Sequence, residues 1–211
     1  LVRKRLITKR QKKRLTTIIA SVVALTAVII AFMMVKNFIR QLTPVAQPPI
    51  QVKTIEKQHQ EFIQDLAPAA VKYSQVYGGL PSITIAQAIL ESDWGQSQLA
   101  SKYHNLFGVK SDDPQNSQVL KTQEYENGSW TTISASFRVY PNFEESIRDH
   151  AALLANGTTW NKQQYQHVLA STNYLDAANN LQRDGYATDP DYTQKIIKII
   201  QKYHLDRYDT R

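Results

Sequence analysis

The sequence predicts an α+β protein that is mostly helical, with one short β-hairpin and a single transmembrane helix ahead of the folded body. Three observations carry this. An uncharged apolar run spans Leu15 to Val35. Apolar residues recur at helical spacing through most of 54–203. Two stretches rich in β-formers flank Asn127-Gly128, a type I′ hairpin signal.

The N-terminal elements come first. The formal net charge is +7. Residues 1–40 hold ten Lys/Arg and no acid, so the remaining residues are mildly acidic and the basic balance belongs to the tail. A nucleic-acid partner is not expected, because it needs its cations on the folded surface. The 21 residues Leu15–Val35 carry no charge. As a helix they reach about 31 Å, enough for a hydrocarbon core of roughly 30 Å. The run exceeds the usual apolar length of a cleaved signal peptide, and Lys36-Asn37-Phe38 is a poor cleavage site. Eight of the ten cations precede it, so the expectation is a single-pass membrane protein with a cytoplasmic tail (1–14), an anchor (15–35) and everything later outside. Residues 36–53 read as a linker. Gln41–Lys53 has three prolines and no glycine, which predicts a stiff extended spacer.

The body, 54–211, follows in order. Thr54–Tyr77 is helical, with Pro68 expected to kink or break it and Gly78-Gly79 to end it. Ser82 is the expected N-cap of a helix Ile83–Trp94 that Gly95 closes. Val119–Tyr125 and Trp130–Tyr140 are the hairpin strands. Asn142, three residues before Glu145, caps a helix Phe143–Ala155. Shorter helices are expected near Lys162–Ser171 and Leu175–Asp184. Asp189-Pro190 reads as the start of a last helix reaching about Tyr203. With no cysteine there is no disulfide framework. His59, His104, His150, His167 and His204 lack paired ligand spacing, so neither a metal nor a cofactor is expected.

One residue breaks the pattern. In "ILESDWG" (89–95), Glu91 stands at the border of an apolar stripe, in the last turn of its helix and three residues before Trp94. An apolar neighbour and the negative end of the helix dipole both disfavour its charged form and raise its pKa. A carboxylic acid kept protonated near neutral pH suits general-acid chemistry on a glycoside. Periodicity alone favours the plainer reading, a partly exposed glutamate on the polar face.

Five ordered blocks add to this: "PSITIAQAILESDWGQSQLA" (81–100), "NLFGVK" (105–110), "TQEYENG" (122–128), "FRVYPNFEESIRDHAALL" (137–154) and "GYATDPDY" (185–192). Together they resemble glycoside hydrolase family 73, endo-β-N-acetylglucosaminidases that hydrolyse peptidoglycan, over about residues 58–205. Asp93 departs from the glycine many members carry. The resemblance implies a lysozyme-like fold, peptidoglycan glycan strands as substrate, and cleavage of the β-1,4 bond between N-acetylglucosamine and N-acetylmuramic acid. Glu91 is then the general acid and Glu124 the second carboxylate, with Glu126 on the same strand face as its rival. Either an inverting reaction or attack by the substrate's own acetamido group fits. Trp94, Phe107, Tyr140 and Tyr186 become candidates for a sugar-stacking platform, the first two equally plain core residues. Asn105 would bind an acetamido group or cap a turn. The alternatives are a muramidase or lytic transglycosylase on the same fold, or a non-catalytic glycan-binding protein. The sequence leaves the oligomeric state open.

Overall fold

A computed structural model describes residues 49–126 and 129–209, with side chains left out at 49–51, 53 and 122–130. The expected cytoplasmic tail, the anchor 15–35 and most of the linker lie outside the described residues. Among the described residues no helix is long and apolar enough to cross a membrane.

Helix α1 (Pro49–Tyr77) starts five residues earlier than Thr54, so the end of the expected spacer is helical. Proline suits a helix start, where its missing N–H has no partner to lose. The helix also runs through Pro68. Pro68 faces solvent, while Ile63, Leu66, Ala67, Ala70 and Tyr73 seat the helix on the core on both sides of it. Gly78 and Gly79, both at positive φ, end α1 as expected.

Helix α2 (Pro81–Ser92) is the centre of the fold: residues 81–89 are all buried. Burying side chains such as Ile83, Ile85 and Ile89 contributes about 1.5–3 kcal/mol each. Its N-cap is Leu80, and Ser82 sits inside the first turn. The expected cap role passes to Asp209, whose carboxylate accepts from Ser82 N at 2.8 Å and from Ser82 Oγ at 2.6 Å.

Helix α3 (Gln98–Tyr103) leads to the hairpin of β1 (Ser117–Glu126) and β2 (Ser129–Arg138). Glu126 pairs with Ser129, which leaves Asn127 and Gly128 as the connection. Helix α4 (Phe143–Asn156) is capped as its sequence demands, Asn142 accepting from Glu145 N at 2.9 Å. Helices α5 (Gln166–Ala170), α6 (Tyr174–Arg183) and α7 (Tyr192–Tyr203) follow, then a 3-10 turn, Leu205–Tyr208. Helix α7 begins after Asp189-Pro190, because Asp189 forms a separate turn, accepting from Asp191 N on its side chain and from Tyr192 N on its carbonyl. Helices α2, α6 and α7 share one core with Leu205 and with Ile63, Ala67 and Ala70 of α1; Leu66 and Tyr73 of α1, Ile147 and Ala151 of α4 and the 100–107 segment share a second with Ala88. A mostly helical body with a small antiparallel hairpin is the predicted fold class.

Candidate active site

The site is built at the C-terminal end of α2. The helix stops at Ser92, two residues short of the expected Trp94. Asp93, Trp94 and Gly95 then follow in the left-handed region, at φ 50°, 59° and 75°. Ser92 directs this exit, its Oγ donating to Ala88 O at 2.5 Å and accepting from Gly95 N at 2.8 Å. Gly95 is needed for space as well: a Cβ there would stand 2.7 Å from the Phe62 ring. Left-handed backbone costs a side-chain-bearing residue roughly 1–2 kcal/mol, which accounts for glycine suiting the position of Asp93.

Glu91 lies in this last turn and is accessible to solvent. The protein packed around its carboxyl nevertheless depletes it of water, and that desolvation raises its pKa. A hydrogen bond from Tyr192 works against the rise, the Asp189 charge adds to it, and Lys195 opposes it. Lys195 and Asp189 are paired to each other, which blunts both influences. The direction matches the sequence expectation, but the cause is the crowding of the carboxyl.

Tyr192 and Gln87 are the residues that sequence reasoning missed. Gln87 Nε2 donates to the Tyr192 hydroxyl at 3.1 Å, and that hydroxyl donates to Glu91 Oε1 at 2.8 Å. With the Gln87 amide in this orientation, the Tyr192 hydroxyl is left to donate to Glu91 Oε1. Tyr192 closes the "GYATDPDY" block and Gln87 precedes Glu91 by one helical turn, which are the only sequence signals for either.

Tyr186 belongs to the same place. Its ring lies 5.9 Å from that of Tyr192 in a stacked arrangement. Burial raises its hydroxyl pKa, and the nearby Glu91 charge raises it further. Tyr140 is close enough to influence Tyr186, but its hydroxyl donates to Asp149 at 2.6 Å, a carboxylate also paired with Arg138 at 2.7 Å.

The remaining platform candidates do other work. Trp94 stacks on His59 at 3.6 Å and meets Tyr203 edge-on at 4.9 Å, so one indole face is already covered. Phe107 is 7% exposed and stacks on the fully buried His150 at 3.9 Å. Asn105 is 1% exposed. Its Nδ2 donates to Val109 O and Arg138 O, and its Oδ1 accepts from Phe107 N and Val109 N. Of the two roles expected of it, these contacts support the loop-holding one, tying the 105–109 loop to β2. Glu124 is opposite Thr131 in the hairpin, and Glu126 opposite Ser129; their side chains lie outside those described. Among the described residues, no group of three or more His, Asp or Glu side chains could hold a metal ion.

The arrangement is one protonatable carboxyl, oriented by a tyrosine and walled by aromatic rings. Residues 67–205 match the family model described as mannosyl-glycoprotein endo-beta-N-acetylglucosaminidase. The exo-glucosaminidase LytG of Bacillus subtilis is 52% identical over 75% of this chain, and the match covers 56% of that protein. A probable N-acetylmuramidase of Lactococcus lactis is 41% identical over 77% of this chain and 37% of its own length. The chain thus spans little more than half of these relatives, or less. Among solved structures, the catalytic domain of the autolysin Auto from Listeria monocytogenes superposes with a TM-score of 0.66 at 34% identity, covering 82% of this chain and 96% of that one. The chain belongs to the glucosaminidases of glycoside hydrolase family 73.

Proposed function

We propose that the protein is a peptidoglycan hydrolase that cleaves the β-1,4 bond on the reducing side of N-acetylglucosamine, with Glu91 as general acid. The observation that carries this is the Glu91 carboxyl itself: solvent-accessible, shifted toward its neutral form by desolvation, and held at Oε1 by the Tyr192 hydroxyl. In the reaction the acid's proton passes to the glycosidic oxygen as the C1–O bond breaks, and the leaving sugar departs as an alcohol. Glu124, across the hairpin, then activates a water or steadies the substrate's acetamido group as it attacks C1. Tyr186 lines the position next to the cleaved bond.

The names of the relatives, an exo-glucosaminidase, an N-acetylmuramidase and an autolysin, support a wall-glycan substrate and leave two bonds in play. Of these relatives, the exo-glucosaminidase shares more identity than the N-acetylmuramidase, 52% against 41%, which favours the N-acetylglucosamine bond. Digestion of purified cell wall, followed by reduction and sugar analysis, tests this. New N-acetylglucosamine reducing ends are expected. N-acetylmuramic acid ends overturn the bond assignment, and 1,6-anhydro ends overturn hydrolysis. The length of the first products separates exo from endo attack.

The basic tail and the uncharged run 15–35 support the companion proposal that the domain is tethered to the outer side of the cell membrane. From there it serves in wall remodelling or daughter-cell separation.

A further inference from the structure

Beside the candidate site, the α4–α5 connection, α5 and the end of α6 enclose an open polar hollow of about 450 Å³. That volume is within the range of small-ligand sites, roughly 300–1,000 Å³. Trp160 stands on its rim at 80% exposure, the most exposed large hydrophobic side chain among the described residues. A ring this exposed on the rim of a polar hollow is free to stack against a ligand.

The loop that presents Trp160 is built to hold it still. Gly157 leaves helix α4 at φ 66°, where a Cβ would stand 2.3 Å from Asn161 O. Thr158 N donates to Asn161 O at 2.9 Å, Asn161 N donates back to Thr158 Oγ1 at 3.1 Å, and Thr158 Oγ1 donates to Gln164 Oε1 at 2.8 Å. The backbone beneath Trp160 is therefore ordered before any ligand arrives, and the entropy left to lose there is that of the indole side chain.

The floor is equally specific. His167 Nδ1 lies 2.9 Å from Asp184 Oδ1, and the Asp184 side chain is only 5% exposed. A carboxylate can only accept, so Nδ1 carries a proton toward Asp184, and the Nε2 edge of the half-exposed ring is left without a partner among the described residues. Gln163, Gln166 and Arg183 complete the lining with exposed amides and a guanidinium.

We infer that this hollow is a second glycan-binding subsite, which holds an N-acetylated aminosugar unit of the wall strand apart from the bond being cut. A pyranose ring stacks on Trp160, its hydroxyls hydrogen-bond to His167 Nε2 and to the amide oxygens, and the amide N–H groups meet an acetamido carbonyl. Arg183 takes a carboxylate of the strand. One guanidinium beside a buried carboxylate is too little positive charge for a polyphosphate, and the open polar walls do not suit an apolar molecule. The hollow connects to the reaction site through the chain itself: Arg183 is three residues from Tyr186, at most about 11 Å of backbone. The inference rests on the wall-glycan reading above.

The test uses Glu91→Gln protein, which cannot cleave its ligand. Calorimetric titration with chitohexaose and sedimentation with purified wall sacculi measure binding before and after adding Trp160→Ala. A roughly tenfold weaker Kd is expected for both ligands, with Trp160→Phe retaining most of the affinity. With Glu91 intact, Trp160→Ala should raise KM on whole wall about tenfold and leave kcat unchanged. Unaltered affinity in Trp160→Ala overturns the subsite, as does a loss that Trp160→Phe shares in full. If the wild type cleaves no wall material, the hydrolase reading falls while the titrations still decide the subsite.

Discussion

The Tyr192 hydroxyl donates a 2.8 Å hydrogen bond to Glu91 Oε1, joining residues 101 positions apart in the chain. Helix α7 thus supplies the orienting group for an acid carried by α2, and the aromatic ring of Tyr186 packs over the junction. Five expected outcomes follow from this geometry and from the sequence around it.

Glu91→Gln keeps shape and removes the transferable proton. Turnover should fall by about 10²–10⁴-fold or more, measured on purified wall. Stability should move the other way. The folded-state pKa of Glu91 lies above its unfolded value, so the native protein binds this proton more tightly. The contribution to stability is present below the unfolded pKa and is lost as pH rises through the folded one. Melting at pH 7 should therefore show Glu91→Gln gaining more over wild type than it does at pH 4. A variant that melts lower at pH 7 would show that the ionised carboxylate is stabilising.

Tyr192→Phe removes the hydrogen bond that favours the ionised acid. The alkaline limb of the kcat/KM profile should shift to higher pH, with a loss of activity smaller than that of Glu91→Gln. Gln87 also loses the acceptor of its buried Nε2, at a cost of about 1–3 kcal/mol. An unmoved alkaline limb would show that Tyr192 does not tune Glu91.

Asn105→Ala should unfold more easily by at least about 2 kcal/mol, because four hydrogen bonds to backbone groups of a buried loop are lost, although Val109 O keeps its bond from Arg138 N. Denaturant titration measures this. At temperatures where the variant stays folded, KM should be unchanged. A raised KM with intact stability would return Asn105 to the substrate.

Glu124→Gln should reduce turnover far more than Glu126→Gln, with circular dichroism unchanged in both. The reverse order would give the second carboxylate to Glu126.

In intact cells an external protease should release the domain, and the full-length chain should fractionate with membranes. Recovery of a form beginning after residue 36 from the medium would replace the anchor with a cleaved leader.

What the sequence made legible was what neighbours in the chain decide. Asn142 caps Glu145 N three residues on, Gly78 and Gly79 stop a helix, and the hairpin register leaves Asn127-Gly128 as its connection. Long-range partners were hidden. Nothing near Ser82 tells that Asp209 will cap its helix, and nothing near Glu91 tells of Tyr192. Asn105 shows a different limit. A polar residue between glycine and aromatics suits a ligand or a loop equally in composition, and only the positions of four backbone groups distinguish them. Pro68 was over-read, because packing on both sides of an exposed proline outweighs one missing hydrogen bond.

The Asp209 carboxylate that secures Ser82 lies 127 positions later in the chain. At roughly 5–20 residues per second of synthesis, the two are made about 6–25 s apart. Until residue 209 has emerged, the first turn of α2 has no partner for the Ser82 N–H, and α7 has only just brought Tyr192 to the other end of the same helix. The order of manufacture thus places a delay on the domain: Glu91 meets Tyr192, and α2 its Asp209 cap, only after more than a hundred later residues have been made.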